Sequence, residues 1–117
     1  MKLQVTGKNL DVTDPIVDYA ERKLTRLTKH LDASTRVELE LAVERNPSIS
    51  DSQVAEATLQ LKGVTLRAHE ASPDMMHTIH ELAEDVRRQV KRHREKRRKR
   101  HQTRRMVRGL REHSAES

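Results

Sequence analysis

The residues of this chain most suited to chemistry are cations, and what they offer is binding. From Arg87 to Arg111 there are fourteen Lys and Arg against a single acid, Glu95. Such a run repels itself along a helix and is relieved by a polyanion, whose condensed counterions are released as its phosphates are neutralised. Arg outnumbers Lys in the run, which suits forked hydrogen bonds to phosphate oxygens. The sequence has one Tyr and neither Phe nor Trp, so stacking platforms for reading bases are lacking and backbone phosphate is the expected contact. His93 and His101 lie within the run and would add charge below neutral pH; plain exposure is the simpler reading.

Other chemistries find little support. His77 and His80 stand three apart beside Glu81 and Glu84, a helical spacing that can hold a metal, but the pattern is not H-E-x-x-H and no third ligand converges on it. Exposed helix histidines are expected instead. Glu38, Glu40 and Glu44 alternate along a strand without an apolar pocket to raise a carboxyl pKa, so they read as a solvated face. Cysteine is absent, which removes disulfides, thiolate metal sites and thiol nucleophiles. Neither a Gly-rich phosphate loop nor a nucleophile elbow occurs. No enzyme activity, catalytic residue, metal, cofactor or small-molecule substrate is expected.

Charge is divided unequally along the chain. Residues 1–86 hold ten Lys and Arg against fifteen Asp and Glu, while 87–111 carry a net +13, within an overall +6. An acidic body therefore bears a basic arm, as expected of a protein whose partner is a nucleic acid. The first residues, MKLQVTGKN, alternate apolar and polar and do not read as a signal peptide. No stretch approaches a membrane span. A soluble, cytoplasmic protein is expected.

The elements that must hold these cations follow from periodicity. Lys2 to Thr6 alternates as a strand ending near Gly7. Thr13, Asp14 and Pro15 then open a helix with Ile16, Ala20, Leu24, Leu27 and Leu31 on one stripe. Thr35 to Val43 is the clearest strand, with Val37, Leu39, Leu41 and Val43 on one face. After the turn-rich NPSISD, Ala55 to Leu61 and Val64 to Ala68 form a hairpin about Lys62-Gly63. Ser72 or Asp74 caps a second helix whose stripe is Met75, Ile79, Leu82, Val86 and Val90. Met75 and Met76 are expected to fill gaps in packing. Past Val90 come fifteen residues without an apolar side chain, so ordered helix is expected to end at His93 or a few turns beyond. Met106, Val107 and Leu110 form a weak apolar spot in the tail.

Together these predict an α+β fold: a βαβββα two-layer sandwich, with a four-stranded mixed sheet and two helices packed on one face. The domain is expected over residues 1–96, and 97–117 as a basic extension, a frayed helix or disordered.

The opening LQVTGKNLDVT, the helix residues Lys23, Leu24, Arg26 and Leu27, EATLQLKG from Glu56 to Gly63, DMMHTIHEL from Asp74 to Leu82 and RRQVKRHREK from Arg87 to Lys96 occur in an order and spacing that resembles the ribosome hibernation promoting factor and ribosome-associated inhibitor family, also called sigma-54 modulation proteins. The resemblance covers residues 1–96 and fits the short form. It implies a domain that occupies the decoding region of the small ribosomal subunit and excludes messenger and transfer RNA. The matching basic positions are Lys23 and Arg26 on the first helix and Arg88, Arg92 and Lys96 on the second, with Gln89 matching as a polar neighbour. Lys91 and Arg94, beside them in the run, are expected to assist.

Met76 stands where the family commonly has Tyr, and Asp85 where many relatives carry a base. The extra dimerisation domain of the long members is not expected here. Expected partners are small-subunit ribosomal RNA and the assembled ribosome, with no membrane, and the free protein is expected to be monomeric. The competing expectation is a protein-interaction regulator, for example of a transcription factor, with the arm as a solvated tail.

Overall fold

Alternating strands and striped helices each leave one apolar side to cover, and the chain covers all of them in two layers. The computed structural model describes every residue except 28–30, 32–33, 47 and 117, and the side chains at 27 and 100–116 also lie outside the described set. In chain order the elements are β1 (Lys2–Lys8), α1 (Asp14–Leu27), β2 (Arg36–Val43), β3 (Gln53–Leu61), β4 (Val64–Ser72) and α2 (Met75–Glu116). The sheet order is β1-β2-β3-β4. Strands β1 and β2 are parallel, joined through α1, and the remaining pairs are antiparallel. The βαβββα α+β sandwich read from the sequence is thus the observed fold. The chain divides into two compact units, Met1–Arg87 and Arg88–Ser117.

Register puts the apolar residues of the sheet on one face. Leu3 lies across from Val37 and Val5 from Leu39; Val37, Leu39 and Leu41 lie across from Leu59, Ala57 and Ala55. Beneath the helices, Ala20 and Leu24 of α1 and Met75, Ile79, Leu82, Ala83 and Val86 of α2 are buried. The positions expected for Leu27 in the stripe and for Met106, Val107 and Leu110 in the tail fall outside the described side chains. The opposite sheet face is open and carries Gln4, Thr6, Glu38, Glu40, Glu56 and Thr58 around a shallow depression.

Several boundaries differ from the sequence reading: α2 runs to Glu116, beyond the end expected at His93 or a few turns later, Leu31 lies outside α1, β2 begins at Arg36, and β1, β3 and β4 are longer for local reasons. Strand β1 does not turn at Gly7 but runs on to Lys8. Gly7 is required there by close approach: a Cβ on it would lie 2.5 Å from the Leu10 carbonyl oxygen and 2.7 Å from Val12 Cγ2. The chain turns instead at Asn9, whose φ of 57° is the left-handed region that Asn tolerates. Strands β3 and β4 also exceed their alternating stretches, because their ladder continues to the Gln53–Ser72 pair.

The second helix is anchored by hydroxyls. Asp74 Oδ2 accepts the His77 amide at 3.0 Å, which makes Asp74 the N-cap. Ser72 Oγ accepts the Asp74 amide at 3.2 Å and lies 2.6 Å from Thr78 Oγ1. Thr78 Oγ1 is also 2.9 Å from the Gln53 carbonyl of β3. Helix α2 continues to Glu116, far beyond its last buried residue, Val90. Past that point Arg, Lys, Gln and Glu, all good helix formers, dominate it. Among the described residues no helix is long and apolar enough to cross a membrane.

Candidate nucleic-acid interface

Within the first unit, the cations of α1 are sorted by helical geometry. At about 100° per residue, Tyr19, Arg22, Lys23 and Arg26 fall within an arc of about 100° along one flank of the buried stripe. Arg22 and Arg26 are exposed, whereas Lys23 and Tyr19 are half-buried. Asp14, Asp18 and Glu21, all exposed, line the other flank. Lys23 Nζ sits 5.5 Å from the centroid of the Tyr19 ring. Lys23 and Arg26, both expected from the sequence, are therefore brought together, and Arg22 joins them. Its position on the wheel was the signal for it, since Arg22 and Arg26 are one turn apart.

Within the second unit, Arg88, Arg92 and Lys96 are spaced by four and form a stripe on α2, with a cation about every 6 Å along the axis. All three are exposed. Gln89, half-buried, borders the stripe on one side, and exposed Lys91 stands about 60° from Arg88 on the other. Arg94 is not brought to this face: it lies about 160° from the middle of the stripe. Lys99, which the sequence reading passed over, falls within the stripe by the same rule.

Electrostatics leaves the stripe available. Glu84, one turn before Arg88, is taken by Arg87 through bonds of 3.0 and 3.2 Å. That pair is exposed at the surface. No ion pair to a described residue engages Arg88, Arg92 or Lys96. His77 Nε2 is 3.9 Å from Glu81 Oε1, a local contact one turn apart. Among the described residues no group of three or more His, Cys, Asp or Glu is placed to hold a metal ion.

On the open sheet face Glu40 lies directly across from Glu56, with Glu38 two residues along β2. Lys2, Arg36 and Arg67 share that face by register, so the sheet carries charges of both signs, whereas the helices carry cationic rows. A row of exposed Arg and Lys on a helix, with little aromatic surface, is fitted to backbone phosphates and not to base edges.

Comparison with known proteins agrees with the fold and adds a family. The family model described as Sigma 54 modulation protein / S30EA ribosomal protein matches residues 3–98. A protein of Azotobacter vinelandii named ribosome hibernation promoting factor is 38% identical over 96 residues, covering 82% of this chain and 85% of the relative. A Picosynechococcus protein named ribosome hibernation promotion factor is 37% identical over 97 residues, covering 82% of this chain but only 50% of the relative, so this chain spans half the length of that protein. The crystal structure of the Thermus thermophilus Protein Y N-terminal domain superposes with a TM-score of 0.68 at 30% identity, over 79% of this chain and 98% of that one. A ribosomal subunit interface protein from Coxiella burnetii shares the fold, with a TM-score of 0.67 at 20% identity over 80% of this chain and 98% of that one.

Proposed function

The chain belongs to the Sigma 54 modulation protein / S30EA ribosomal protein family, and from that premise we propose that it is a ribosome hibernation factor. It binds the small ribosomal subunit at the decoding region, within assembled ribosomes as well as free subunits, and excludes messenger and transfer RNA by occupying their place. It acts by occlusion, without catalysis, in the cytoplasm where ribosomes work. The observation that carries this reading is the exposed row Arg88, Arg92 and Lys96, which no described acid neutralises. The names of the relatives, ribosome hibernation promoting factors, support the same direction.

Lys23 and Arg26 supply phosphate contacts from α1; Arg88, Gln89, Lys91, Arg92 and Lys96 supply them from α2. Residues 1–96 form the binding domain and 97–117 a basic extension, a division supported by a family match that ends at residue 98. The protein acts as a monomer before it meets the ribosome.

Co-sedimentation with purified small subunits and with assembled ribosomes tests the proposal. Replacing Arg88 and Arg92 together by Glu is expected to weaken binding by on the order of a hundredfold or more, because charge-assisted hydrogen bonds are lost and repulsion replaces them. Undiminished sedimentation of that variant in moderate salt would reject the surface. A second reading, a regulator that docks on a basic protein, draws on the three carboxylates Glu38, Glu40 and Glu56 that line the depression of the open sheet face. A partner retained on the protein after nuclease treatment would favour it.

A further inference from the structure

Tyr19 is the only aromatic residue of the chain, and it stands on the cationic flank of α1 instead of in the core. The Lys23 ammonium lies 5.5 Å from its ring centroid, within the distance of about 6 Å at which the negative face of a ring attracts a cation. Lys23 is half-buried, so its stem lies along the protein while its head is held over the ring. A free lysine surrenders the rotamers of a flexible four-carbon stem when it meets a phosphate. A lysine already held by a ring has surrendered part of them beforehand. The ring occupies one side of the ammonium, which leaves N–H donors on the outer side for an anion.

We propose that Tyr19 is a positioning residue, which holds Lys23 Nζ beside Arg22 and Arg26 as a preset phosphate contact of α1. The inference rests on the RNA-binding reading above and names the residue that prepares one of its contacts. Tyr19 acts through Lys23 in this role, so the ring is needed and the phenolic hydroxyl is not.

The test is the binding of wild type, Tyr19→Phe, Tyr19→Leu, Lys23→Met and the Tyr19→Leu/Lys23→Met double variant to purified small ribosomal subunits over a series of salt concentrations. A lost phosphate contact flattens the log–log slope by about 0.7 to 0.9, and Lys23→Met is expected to do so. Tyr19→Leu keeps the contact but not its presetting, so it is expected to weaken binding several-fold at every salt concentration with the slope kept. In the Lys23→Met background the same Tyr19→Leu change is expected to cost nothing further, whereas partial unfolding would weaken binding in both backgrounds alike, and Tyr19→Phe is expected to bind as wild type does. In the free protein, ring-current shifts should move the Lys23 ε-methylene protons upfield in wild type and Tyr19→Phe, and vanish in Tyr19→Leu. A Tyr19→Leu variant that binds as tightly as wild type, or one whose loss is the same in the Lys23→Met background, overturns the inference alone, as does a Tyr19→Phe variant that behaves like Tyr19→Leu. Failure of the wild-type protein to bind small subunits overturns the ribosome reading, and this inference falls with it.

Discussion

At Gly7 a single hydrogen atom decides whether β1 can pass over the turn that follows it. A methyl group there would meet the Leu10 carbonyl oxygen at 2.5 Å and Val12 Cγ2 at 2.7 Å, and one of those contacts is backbone, which cannot swing aside. Gly7→Ala is therefore expected to cost about 1–3 kcal/mol, the usual range for overpacking, read as a lower midpoint in urea with an unchanged slope. The same resolution applies to the binding surface. Arg92 and Arg94 are two apart in sequence but about 160° apart around α2 when offset is measured from the centre of the cationic stripe. Arg92→Glu should then weaken small-subunit binding by tenfold or more, while Arg94→Glu changes it by less than about threefold, the size of effect expected of a charge that only adds to the general field. Equal losses from the two, measured side by side, would mean that RNA surrounds the helix.

The strands and helices themselves were legible because burial leaves a period in the sequence: Val37, Leu39 and Leu41 alternate, and Ile79, Leu82 and Val86 recur by fours and threes. What lay beyond that period was not legible. The ladder carries β4 to Ser72 through hydrogen bonds that need no apolar pattern, and the close approach at Gly7 depends on where residues 10 and 12 fold back. The charge of the arm is countable from the sequence, but its division into faces needs a helix of known phase, which sets Arg22 and Lys99 within the rows and parts Arg94 from Arg92. The start of α2 shows the same limit, since Ser72 and Asp74 were equal candidates for the cap until the Asp74 carboxylate was seen to accept the His77 amide. Ser72 pairs with Thr78 instead, and this buried couple of hydroxyls ties the helix start to the β3 backbone at Gln53. Thr78→Val keeps the shape and deletes the hydroxyl, removing its bond to the Gln53 carbonyl and leaving Ser72 only its contacts with the Asp74 backbone. It should cost about 1–3 kcal/mol, whereas Asp74→Ala should cost about 1 kcal/mol as the loss of a cap. Thermal unfolding followed by circular dichroism measures both, and a Thr78→Val variant as stable as wild type would deny the hydroxyl pair any role in anchoring the helix.

Over the whole molecule, charge separates two functions that the sum conceals. Residues 1–96 hold sixteen Lys and Arg and sixteen Asp and Glu, so the domain is neutral overall and all of the net +6 belongs to 97–117. A neutral domain attracts RNA only at short range, where its cationic rows meet phosphates, because beyond a Debye length of about 8 Å at physiological salt the opposite charges cancel and are screened. The extension has no such balance and can draw the protein toward RNA from further away, which raises encounter rates without requiring a fixed contact. Deleting 97–117 is accordingly expected to lower the association rate with small subunits by about tenfold or more at low salt, with a loss that shrinks as salt rises. The dissociation rate should change far less, since the rows on residues 1–96 stay in place. Stopped-flow binding of the full chain and the shortened one at several ionic strengths separates the two rates. If the shortened chain instead associates normally and leaves quickly, the extension is itself a docked contact, and the binding surface extends along α2 beyond Lys96.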